Sequence, residues 1–495
     1  MYSLENIYQL YIECEQKVCT DSRKIIPGSI FFALKGNNFD GNLFALQSLE
    51  NGCKYAVVDN SEMAEKHPKC IYVSNVLKIL QQLANYHRKK INLPVIAITG
   101  SNGKTTTKEL VAKVLSQKYN VLSTPGNFNN HIGLPLTLLQ LKKEHEIAVI
   151  EMGANHPGEI KELCEIAEPN YGVITSIGKE HLEGFGSIET VKKTNGELYE
   201  YLLDTNGKIF LDIANNDLID ILKKDINEIL NDDRYILYGD LRNPITDAYL
   251  SLSIHNKKIC YGIYIDNTED IFVRFKWFIN DISYWEAFEK KLNEGYKIKD
   301  DIIQNLPVVK THLLAYHNFL NALCAVSIGY YFGVEKEKIN SAIENYIPDK
   351  NRMQWIETEK GNKIILDAYN ANPTSMMAAL EFFKSKNIIL KKNILSTDKD
   401  KVLILGDMFE LGEHSEKEHK DILNFLINNF QESEIYLAGK EFLNASRNIK
   451  LSNNIQIFSN TQELLKTLSQ HHPTNKLILI KASRGMQLEQ CLNYL

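Results

Sequence analysis

The 495-residue sequence predicts an α/β protein with three domains. These are a small N-terminal α/β domain, a central parallel-sheet domain with a glycine-rich loop and an extra β-rich insertion, and a C-terminal Rossmann-like domain. Three observations favour this fold class. The chain is too long for one hydrophobic core, strand-like and helix-like segments alternate along it, and the alternation restarts near residue 345.

The N-terminal domain is predicted over residues 1–90. Polar or glycine-containing turns separate its strand-like runs, which are 29–34, 55–58 and 70–73. A helix is predicted over 76–90, because its leucines recur at helical spacing. Pro94 then opens the next strand, and we therefore place the first boundary near residue 90.

The central domain is predicted over residues 91–340. Its strands (95–99, 147–152 and 171–177) alternate with helices at 105–117 and 157–166. This order indicates a parallel sheet covered by helices. The stretch 225–310 is different, because it is rich in Asn, Asp, Lys and aromatic residues and its strands alternate only weakly. We interpret it as an antiparallel extension or insertion, with strands at 245–254, 259–265 and 271–275.

The C-terminal domain is predicted over residues 345–495. Four apolar runs are separated by helix-compatible segments, at 363–367, 401–405, 434–438 and 476–480. A parallel sheet with helices between its strands is typical of a Rossmann-like domain.

Composition restricts the class of protein. A hydrophobic content of 44% and a charged content of 24% are typical of a soluble globular protein. The net charge of −6 argues against nucleic acid as the main partner. The eight cysteines are scattered and show no metal-binding spacing, which is typical of reduced thiols. No signal peptide and no membrane-spanning run is recognisable, so we expect a cytoplasmic protein. As a separate expectation, the protein acts as a monomer.

The segment Ile96-Ala-Ile-Thr-Gly-Ser-Asn-Gly-Lys-Thr-Thr106 is the most informative motif. A buried strand leads into a glycine turn and then a helix, and backbone amides in such a turn can hold phosphate oxygens. Ile98 stands where the usual Walker A pattern has its first glycine, and an ordinary glycine-rich turn is the alternative. The expected nucleotide-binding residues of this loop are Gly100, Ser101, Asn102, Gly103, Lys104, Thr105 and Thr106.

Two further groups are predicted at the carboxyl ends of neighbouring strands, where ligands bind in open α/β sheets. Glu151 ends an apolar strand and can coordinate magnesium, although a helix-capping role is the alternative. His181 follows the next strand, although a lone histidine is often a surface or core residue. The turn from Thr124 to Gly133 is rich in asparagine, and its Asn129 and Asn130 are candidates for ligand contacts.

Candidate residues also occur near the second domain boundary. Asn318 and Asn321 lie on one face of a predicted helix, and Asp367 ends a predicted strand. Arg352 lies just before that strand and can reach a γ-phosphate held by the neighbouring domain. A solvated surface arginine is the alternative for Arg352.

Together these motifs resemble the Mur ligases of peptidoglycan synthesis. The resemblance rests on T-G-x-N-G-K-T, E-M-G-A-N-H, H-L-E-G-F-G-S, H-N-x-x-N-A, D-x-Y-N-A-N-P, G-D-M-x-E-L-G and K-x-S-R-G-M, in that order, with T-D-S-R near the N-terminus. It covers residues from about 15 to 220 and from 305 to 490, and 225–300 does not obviously match. Within the family, the pattern is most similar to the members that add D-alanyl-D-alanine to UDP-N-acetylmuramoyl-tripeptide.

The resemblance implies a three-domain, ATP- and Mg²⁺-dependent ligase with a central P-loop ATPase domain. In such a ligase, ATP converts the peptide carboxylate to an acyl phosphate, which the amine of D-alanyl-D-alanine attacks. The implied catalytic residues are Lys104, Glu151, His181 and Arg352. The implied metal ligands are Thr105, Glu151 and His181. The implied nucleotide contacts outside the glycine loop are His317, Asn318, Asn321 and Asp367. The implied substrate contacts are Ser22, Arg23, Asn129, Asn130, Asn372, Ser483 and Arg484.

The chain departs from the family pattern at several positions. Asn195 stands where these ligases commonly have a lysine that is carbamylated to bind a second magnesium, and Lys192, one helical turn earlier, is a candidate substitute. Ala315 and Ala482 replace expected glycines, and Ser176 replaces an expected asparagine.

The sequence leaves three alternatives to the D-alanyl-D-alanine-adding ligase. A sister ligase for another amino acid is disfavoured by the sequence Asp367-Ala-Tyr-Asn-Ala-Asn-Pro373. Asn195 alone favours a catalytically weakened protein that binds nucleotide or UDP-sugar. A nucleic-acid-stimulated ATPase is disfavoured by the acidic charge and by the resemblance of the N-terminal domain to a UDP-sugar-binding one.

Overall fold

The computed structural model describes residues 2–246, 259–266, 271–279, 304–348, 351–386 and 396–495. These residues form three sheets and one short hairpin. We call the described parts of 2–91, 92–348 and 351–495 the N-terminal, central and C-terminal units. The α/β fold class is confirmed. The functional domain bounds 1–90, 91–340 and 345–495 stay a prediction.

The N-terminal unit contains a four-stranded parallel sheet of order β1-β2-β5-β6 and the hairpin β3-β4. Its strands are β1 Val18–Cys19, β2 Ile30–Phe32, β3 Lys35–Gly36, β4 Phe39–Asp40, β5 Tyr55–Val58 and β6 Cys70–Tyr72. Its helices are α1 Leu4–Glu13, α2 Ala45–Glu50, α3 Ser61–Glu65 and α4 Val76–Ile91. The predicted helix at 76–90 is therefore confirmed, and the side chain of Asn75 caps it.

The central unit contains a nine-stranded sheet of order β15-β14-β13-β12-β11-β10-β7-β9-β8. The strands are β7 Val95–Thr99, β8 Val121–Ser123, β9 Ile147–Glu151, β10 Tyr171–Ile174, β11 Lys208–Asp212, β12 Tyr235–Asp240, β13 Ile259–Ile265, β14 Phe272–Ile279 and β15 Val309–Leu314. The helices are α5 Lys104–Leu115, α6 Gly133–Leu138, α7 Glu159–Ala167, α8 Leu182–Phe185, α9 Ile188–Asp204, α10 Asn216–Leu222, α11 Ile226–Leu230, α12 Tyr316–Tyr331 and α13 Lys336–Glu344.

The predicted antiparallel character of 225–310 is only partly correct. Strands β12 and β13 continue the parallel sheet, and the direction reverses only at the pairs β13–β14 and β14–β15. Local alternation does not reveal strand direction, which explains the error. Most of the predicted strand at 245–254 lies outside the described residues.

The C-terminal unit contains a six-stranded sheet of order β16-β17-β21-β18-β19-β20, parallel except for the edge pair β16–β17. Its strands are β16 Gln354–Glu357, β17 Lys363–Asp367, β18 Lys401–Gly406, β19 Glu434–Ala438, β20 Ile455–Phe458 and β21 Leu477–Lys481. Its helices are α14 Pro373–Ser385, α15 Ser415–Asn429, α16 Lys440–Ala445 and α17 Thr461–Leu468. Short 3₁₀ turns occur at Gly41–Phe44, Asp398–Asp400, Gly412–His414, Arg484–Met486 and Leu488–Tyr494.

The N-terminal and central units share a hydrophobic core, whereas the C-terminal unit has cores that are largely its own. One continuous core joins α1 and α4 of the N-terminal unit to strands of the central sheet, and it includes Ile7, Leu83 and Ile150. The C-terminal unit is built around two cores, and only a few central residues such as Leu314 pack against one of them. Within the described residues, no helix is both long enough and apolar enough to span a bilayer.

Candidate active site

A cavity of about 540 Å³ lies between the central and C-terminal units. The parallel strands β7, β9 and β10 direct their carboxyl ends toward it, and so do β17 and β21, whose last residues Asp367 and Lys481 line it. Its size suits a small-molecule ligand, and its position is where open α/β sheets bind ligands. We call it the central cavity.

The glycine loop between β7 and α5 forms the floor of the central cavity. Gly100 and Gly103 both have positive φ angles, of 126° and 87°. A Cβ atom at Gly100 would lie 2.4 Å from Thr175 Oγ1, and one at Gly103 would lie 2.7 Å from Asn321 Oδ1. Only glycine therefore fits either position. Asn321 consequently supports the loop from behind and is not among the residues that line the cavity.

Lys104 begins α5 and directs its ammonium group back over the loop. Its Nζ donates to the carbonyl oxygen of Gly100, to that of Ser101 at 3.3 Å and to Glu180 Oε2 at 3.3 Å. The Glu180 side chain is buried and lines the cavity. Glu180 was not predicted as a site residue, although its place next to His181 was a signal.

Glu151 lies at the end of β9 and is almost fully buried. Its Oε1 accepts from Asn129 Nδ2 at 2.8 Å and from Thr105 Oγ1 at 3.2 Å. Its Oε2 has no hydrogen-bond partner among the described residues, and Lys108 Nζ lies 3.7 Å away. The placement next to Thr105 argues against the alternative that Glu151 only caps a helix.

The residues around Glu151 fit a magnesium ion. An unsatisfied buried carboxylate oxygen and a threonine hydroxyl are hard oxygen donors, which this cation prefers. Mg²⁺ usually completes its shell with water and substrate phosphates, and it needs only one or two protein carboxylates. The described residues contain no group of three or more His, Cys, Asp and Glu side chains arranged to hold a metal by themselves.

His181 contacts the C-terminal unit. Its Nδ1 lies 2.5 Å from Glu410 Oε2, and this hydrogen bond holds the pKa of Glu410 below its usual range. Both residues have positive φ angles, of 43° and 62°, which is uncommon for side-chain-bearing residues and typical of functional sites. Glu410 was not predicted as a site residue.

Arg352 and Asp367 form the opposite wall of the cavity. The guanidinium carbon of Arg352 lies 3.7 Å from the ring centre of Tyr369, and its Nε is buried without a hydrogen-bond partner in the described structure. Asp367 pairs with Lys481 at 2.5 Å and accepts from the backbone N–H of Met353 at 3.2 Å. Lys481 is fully buried and was missed in the sequence analysis.

Direct polar contacts join loops of the central unit to helices of the C-terminal unit. Asn372 Nδ2 donates to Asn102 Oδ1 at 3.0 Å, while its Oδ1 caps α14. The backbone N–H of Lys179 donates to Thr374 Oγ1 at 2.9 Å, and its Nζ pairs with Glu418 at 2.6 Å. Asn372 therefore contacts the phosphate loop itself.

The start of α12 also reaches the cavity. His317 and Asn318 line it, and Asn318 Nδ2 donates to the carbonyl oxygen of Leu314. Ala315 just before them has a φ of +66°, which explains why a glycine was expected at this position. Ser176 stands where asparagine was expected, and its hydroxyl bonds the backbone N–H and carbonyl of Asn102.

The two candidates for a second metal ligand lie elsewhere. Asn195 is buried, and its amide accepts from Thr99 Oγ1 at 2.8 Å and donates to the carbonyl oxygen of Val191 at 3.0 Å. Lys192 pairs with Asp217 and Asp220 on helix α10, at 3.1 and 3.0 Å. Partial burial lowers the pKa of Lys192, but the hydrogen bonds to these aspartates outweigh it and raise the pKa. Because carbamylation requires an uncharged amine, this environment disfavours it.

In the C-terminal unit, the predicted substrate contacts Ser483 and Arg484 do not line the central cavity. The Ser483 hydroxyl is buried between loops, where it accepts from the N–H of Phe409 at 2.9 Å. Arg484 is exposed and pairs with Glu489. Asn130 lines the cavity, but its Oδ1 caps the turn before α6.

Ser22 and Arg23 belong to the N-terminal unit. Arg23 is exposed and forms a two-point pair with Asp21, which lowers the pKa of Asp21 to about 2. Their role in substrate binding stays a prediction.

Comparisons with known proteins agree with this geometry. Three Mur ligase descriptions match the chain: the family's catalytic domain at residues 16–90, the middle domain at 98–329 and the glutamate ligase domain at 351–484. The UDP-N-acetylmuramoyl-tripeptide–D-alanyl-D-alanine ligase of Bacillus subtilis is 33% identical over 479 residues, which cover 96% of this chain and 91% of the relative.

Two further comparisons point the same way. The ligase of the same name from Buchnera aphidicola subsp. Baizongia pistaciae is 32% identical over 95% of this chain and 90% of the relative. The crystal structure of MurF from Acinetobacter baumannii superposes with a TM-score of 0.73 at 26% identity, covering 98% of this chain and 97% of that one. On this sequence similarity over nearly its whole length, the chain belongs to the Mur ligase family.

Proposed function

We propose that this protein is an ATP-dependent ligase that joins D-alanyl-D-alanine to UDP-N-acetylmuramoyl-tripeptide, giving the pentapeptide precursor of peptidoglycan. The observation that carries the proposal is the convergence of Lys104, Glu151 and Arg352 on one cavity between two parallel sheets. The names and high coverage of the curated relatives support the substrate pair.

The reaction requires activation, because a carboxylate has no good leaving group. A carboxylate oxygen of the tripeptide attacks the γ-phosphorus of ATP, and ADP leaves. The amine of D-alanyl-D-alanine then attacks the acyl carbon of the acyl phosphate, loses a proton and expels inorganic phosphate. Negative charge spreads over the phosphoryl oxygens in the first step, so catalysis depends mainly on positioning and on electrostatic stabilisation.

The chain supplies these functions from both walls of the cavity. On the central wall, Lys104 and the amides of the glycine loop would hold the phosphates. On the C-terminal wall, Arg352 offers a buried N–H that has no hydrogen-bond partner among the described residues and that would stabilise the transferred phosphoryl group. Thr105 and Glu151 would hold Mg²⁺, which when bound neutralises phosphate charge and orients the phosphates.

Other residues of the chain would contact the nucleotide, the metal and the UDP-sugar. His317, Asn318 and Asp367 would contact the nucleotide, and His181 would serve the metal centre. The first 90 residues, with Ser22 and Arg23, would bind the UDP-sugar. The enzyme would act as a cytoplasmic monomer in cell-wall synthesis, which supports cell shape and division.

Phosphate release by the purified protein tests the proposal. With ATP and Mg²⁺, release should require both UDP-N-acetylmuramoyl-tripeptide and D-alanyl-D-alanine, and the Lys104→Ala variant should abolish it. The tripeptide should be supplied with lysine and with diaminopimelate as its third residue. No release with either form, despite measurable ATP binding, would refute the ligase and favour a nucleotide-binding role.

A further inference from the structure

Glu180 occupies an unusual position beside the phosphate loop. Its side chain is buried at 5% exposure, and its carboxylate is a hydrogen-bond acceptor of Lys104 Nζ at 3.3 Å. The loop that carries it is fixed to the phosphate loop, because Ser101 Oγ donates to the carbonyl of Gly178 and accepts from its N–H. Glu180 is therefore held against Lys104 by backbone contacts.

The three hydrogens of the Lys104 ammonium group match three acceptors. Two acceptors are the carbonyl oxygens of Gly100 and Ser101, and the third is Glu180. A phosphate oxygen that binds Lys104 must therefore displace one of them. The carbonyls belong to the loop backbone, whereas the Glu180 carboxylate is the end of a side chain. Glu180 is consequently the group that phosphate displaces.

A displaced Glu180 carboxylate stays in an acidic environment. Among the described residues, five carboxylates line the cavity, Glu151, Glu159, Glu180, Asp367 and Glu410, against three lysine or arginine side chains, Lys104, Arg352 and Lys481. Lys108 is not among these lining residues, but its Nζ lies 3.7 Å from Glu151 Oε2. Lys481 is already paired with Asp367. A nucleotide polyphosphate without a cation would thus meet a wall of like charge, which is strongly unfavourable at low dielectric.

We propose that Glu180 is a specificity-determining residue that makes the site select metal-complexed nucleotide over free nucleotide. In the empty site its carboxylate neutralises Lys104, and in the filled site it repels any polyphosphate that lacks a divalent cation. This inference rests on the proposed function, because it requires that the cavity bind a nucleotide. Glu180 acts through charge and needs no contact with the reacting atoms.

The test measures binding of ADP, which the enzyme does not consume, by calorimetry in Mg²⁺ and in EDTA. For the wild type, the Kd in EDTA should greatly exceed the Kd in Mg²⁺. Glu180→Gln should reduce this ratio by about tenfold, mainly by tightening binding in EDTA, because it removes one negative charge near the phosphates. Glu180→Ala should do the same, and Glu180→Asp should keep a ratio close to the wild type.

Glu189→Gln is the matched control, because Glu189 is an exposed carboxylate on α9 outside the cavity. Its ratio should equal that of the wild type, and thermal unfolding should show that each variant is folded. An unchanged ratio in both Glu180→Gln and Glu180→Ala, with a wild type that binds Mg²⁺–ADP, would overturn this inference alone. A wild type that binds ADP in neither buffer would overturn the proposed function as well.

Discussion

The two walls of the central cavity are built differently. On the central wall, Lys104 and Glu151 each have protein partners from their own unit. On the C-terminal wall, Arg352 lies over Tyr369 with a buried Nε that has no hydrogen-bond partner in the described part of the chain. A buried unsatisfied donor is costly unless a ligand completes it. The central wall is thus preformed around Lys104 and lacks a cation only at Glu151 Oε2, which is also unpartnered among the described residues, whereas the C-terminal wall lacks an anion at Arg352.

The largest effect should come from removing the ammonium group of Lys104, which belongs to the central wall. Lys104→Ala should lower kcat/KM by about 10³-fold or more, because the lysine contacts phosphate in the ground state and in the transition state. ADP affinity should fall as well. Lys113→Ala, on an exposed position of the same helix, is the control and should behave like the wild type. Phosphate release and calorimetry measure both quantities, and unimpaired ADP binding by Lys104→Ala would contradict the proposed wall.

Arg352→Ala should separate catalysis from binding. We expect kcat to fall about 10²-fold while the Kd of ADP changes by less than about threefold, because ADP lacks the γ-phosphate that this wall would contact. Arg352→Lys should be intermediate, since it keeps the charge but loses the planar stacking on Tyr369. A parallel loss of ADP affinity and of kcat would show that the two walls do not differ as described.

The contact between the walls should contribute less. Lys179 and Glu418 are 2.6 Å apart, and Glu418 is almost fully buried at the unit boundary. Lys179→Met or Glu418→Gln should lower kcat/KM by about tenfold without changing ADP affinity, because each weakens docking of the C-terminal wall.

A double-mutant cycle tests this contact, since the double variant should lose little more activity than either single one. The exposed pair Lys420–Glu416 on the same helix provides the control, and Lys420→Met should have almost no effect. Fully additive losses would mean that the two residues act separately.

The smallest effect is expected at Lys192. Its ammonium group lies between Asp217 and Asp220, outside the cavity, so Lys192→Met should change kcat less than about twofold. Lys193→Met serves as the control. A loss of tenfold or more that depends on bicarbonate would instead show that Lys192 is carbamylated and belongs to the central wall.

The sequence predicted the central wall better than the C-terminal wall for a physical reason. Strands, the glycine turn and the residues at strand ends are local features, and the predicted strand at 95–99, which leads into the glycine loop, matches β7 residue for residue. Parallel strands bring their carboxyl ends to one edge, which placed Glu151 correctly beside Thr105.

Contacts between distant segments were not predictable from one sequence. The pairs Lys481–Asp367 and Lys179–Glu418 join residues 114 and 239 positions apart. Helical spacing placed Lys192 on the same face as Asn195. This spacing could not show that Lys192 pairs with Asp217 and Asp220 on the following helix. The hydroxyl of Ser483 joins two loops, a contact that the sequence did not reveal, and its role in substrate binding stays a prediction.

The continuous core between the first two units restricts how the molecule can move. Because α1 and α4 share apolar contacts with the central sheet, separating them would expose a large hydrophobic area to water. The C-terminal unit shares only a few apolar residues with the central unit, such as Leu314, and it is also joined by polar contacts such as His181–Glu410, which water can replace. We therefore expect a mechanical division into two bodies, in which the first two units move together relative to the C-terminal unit. A compound that holds these two bodies apart would stop turnover without competing for either substrate.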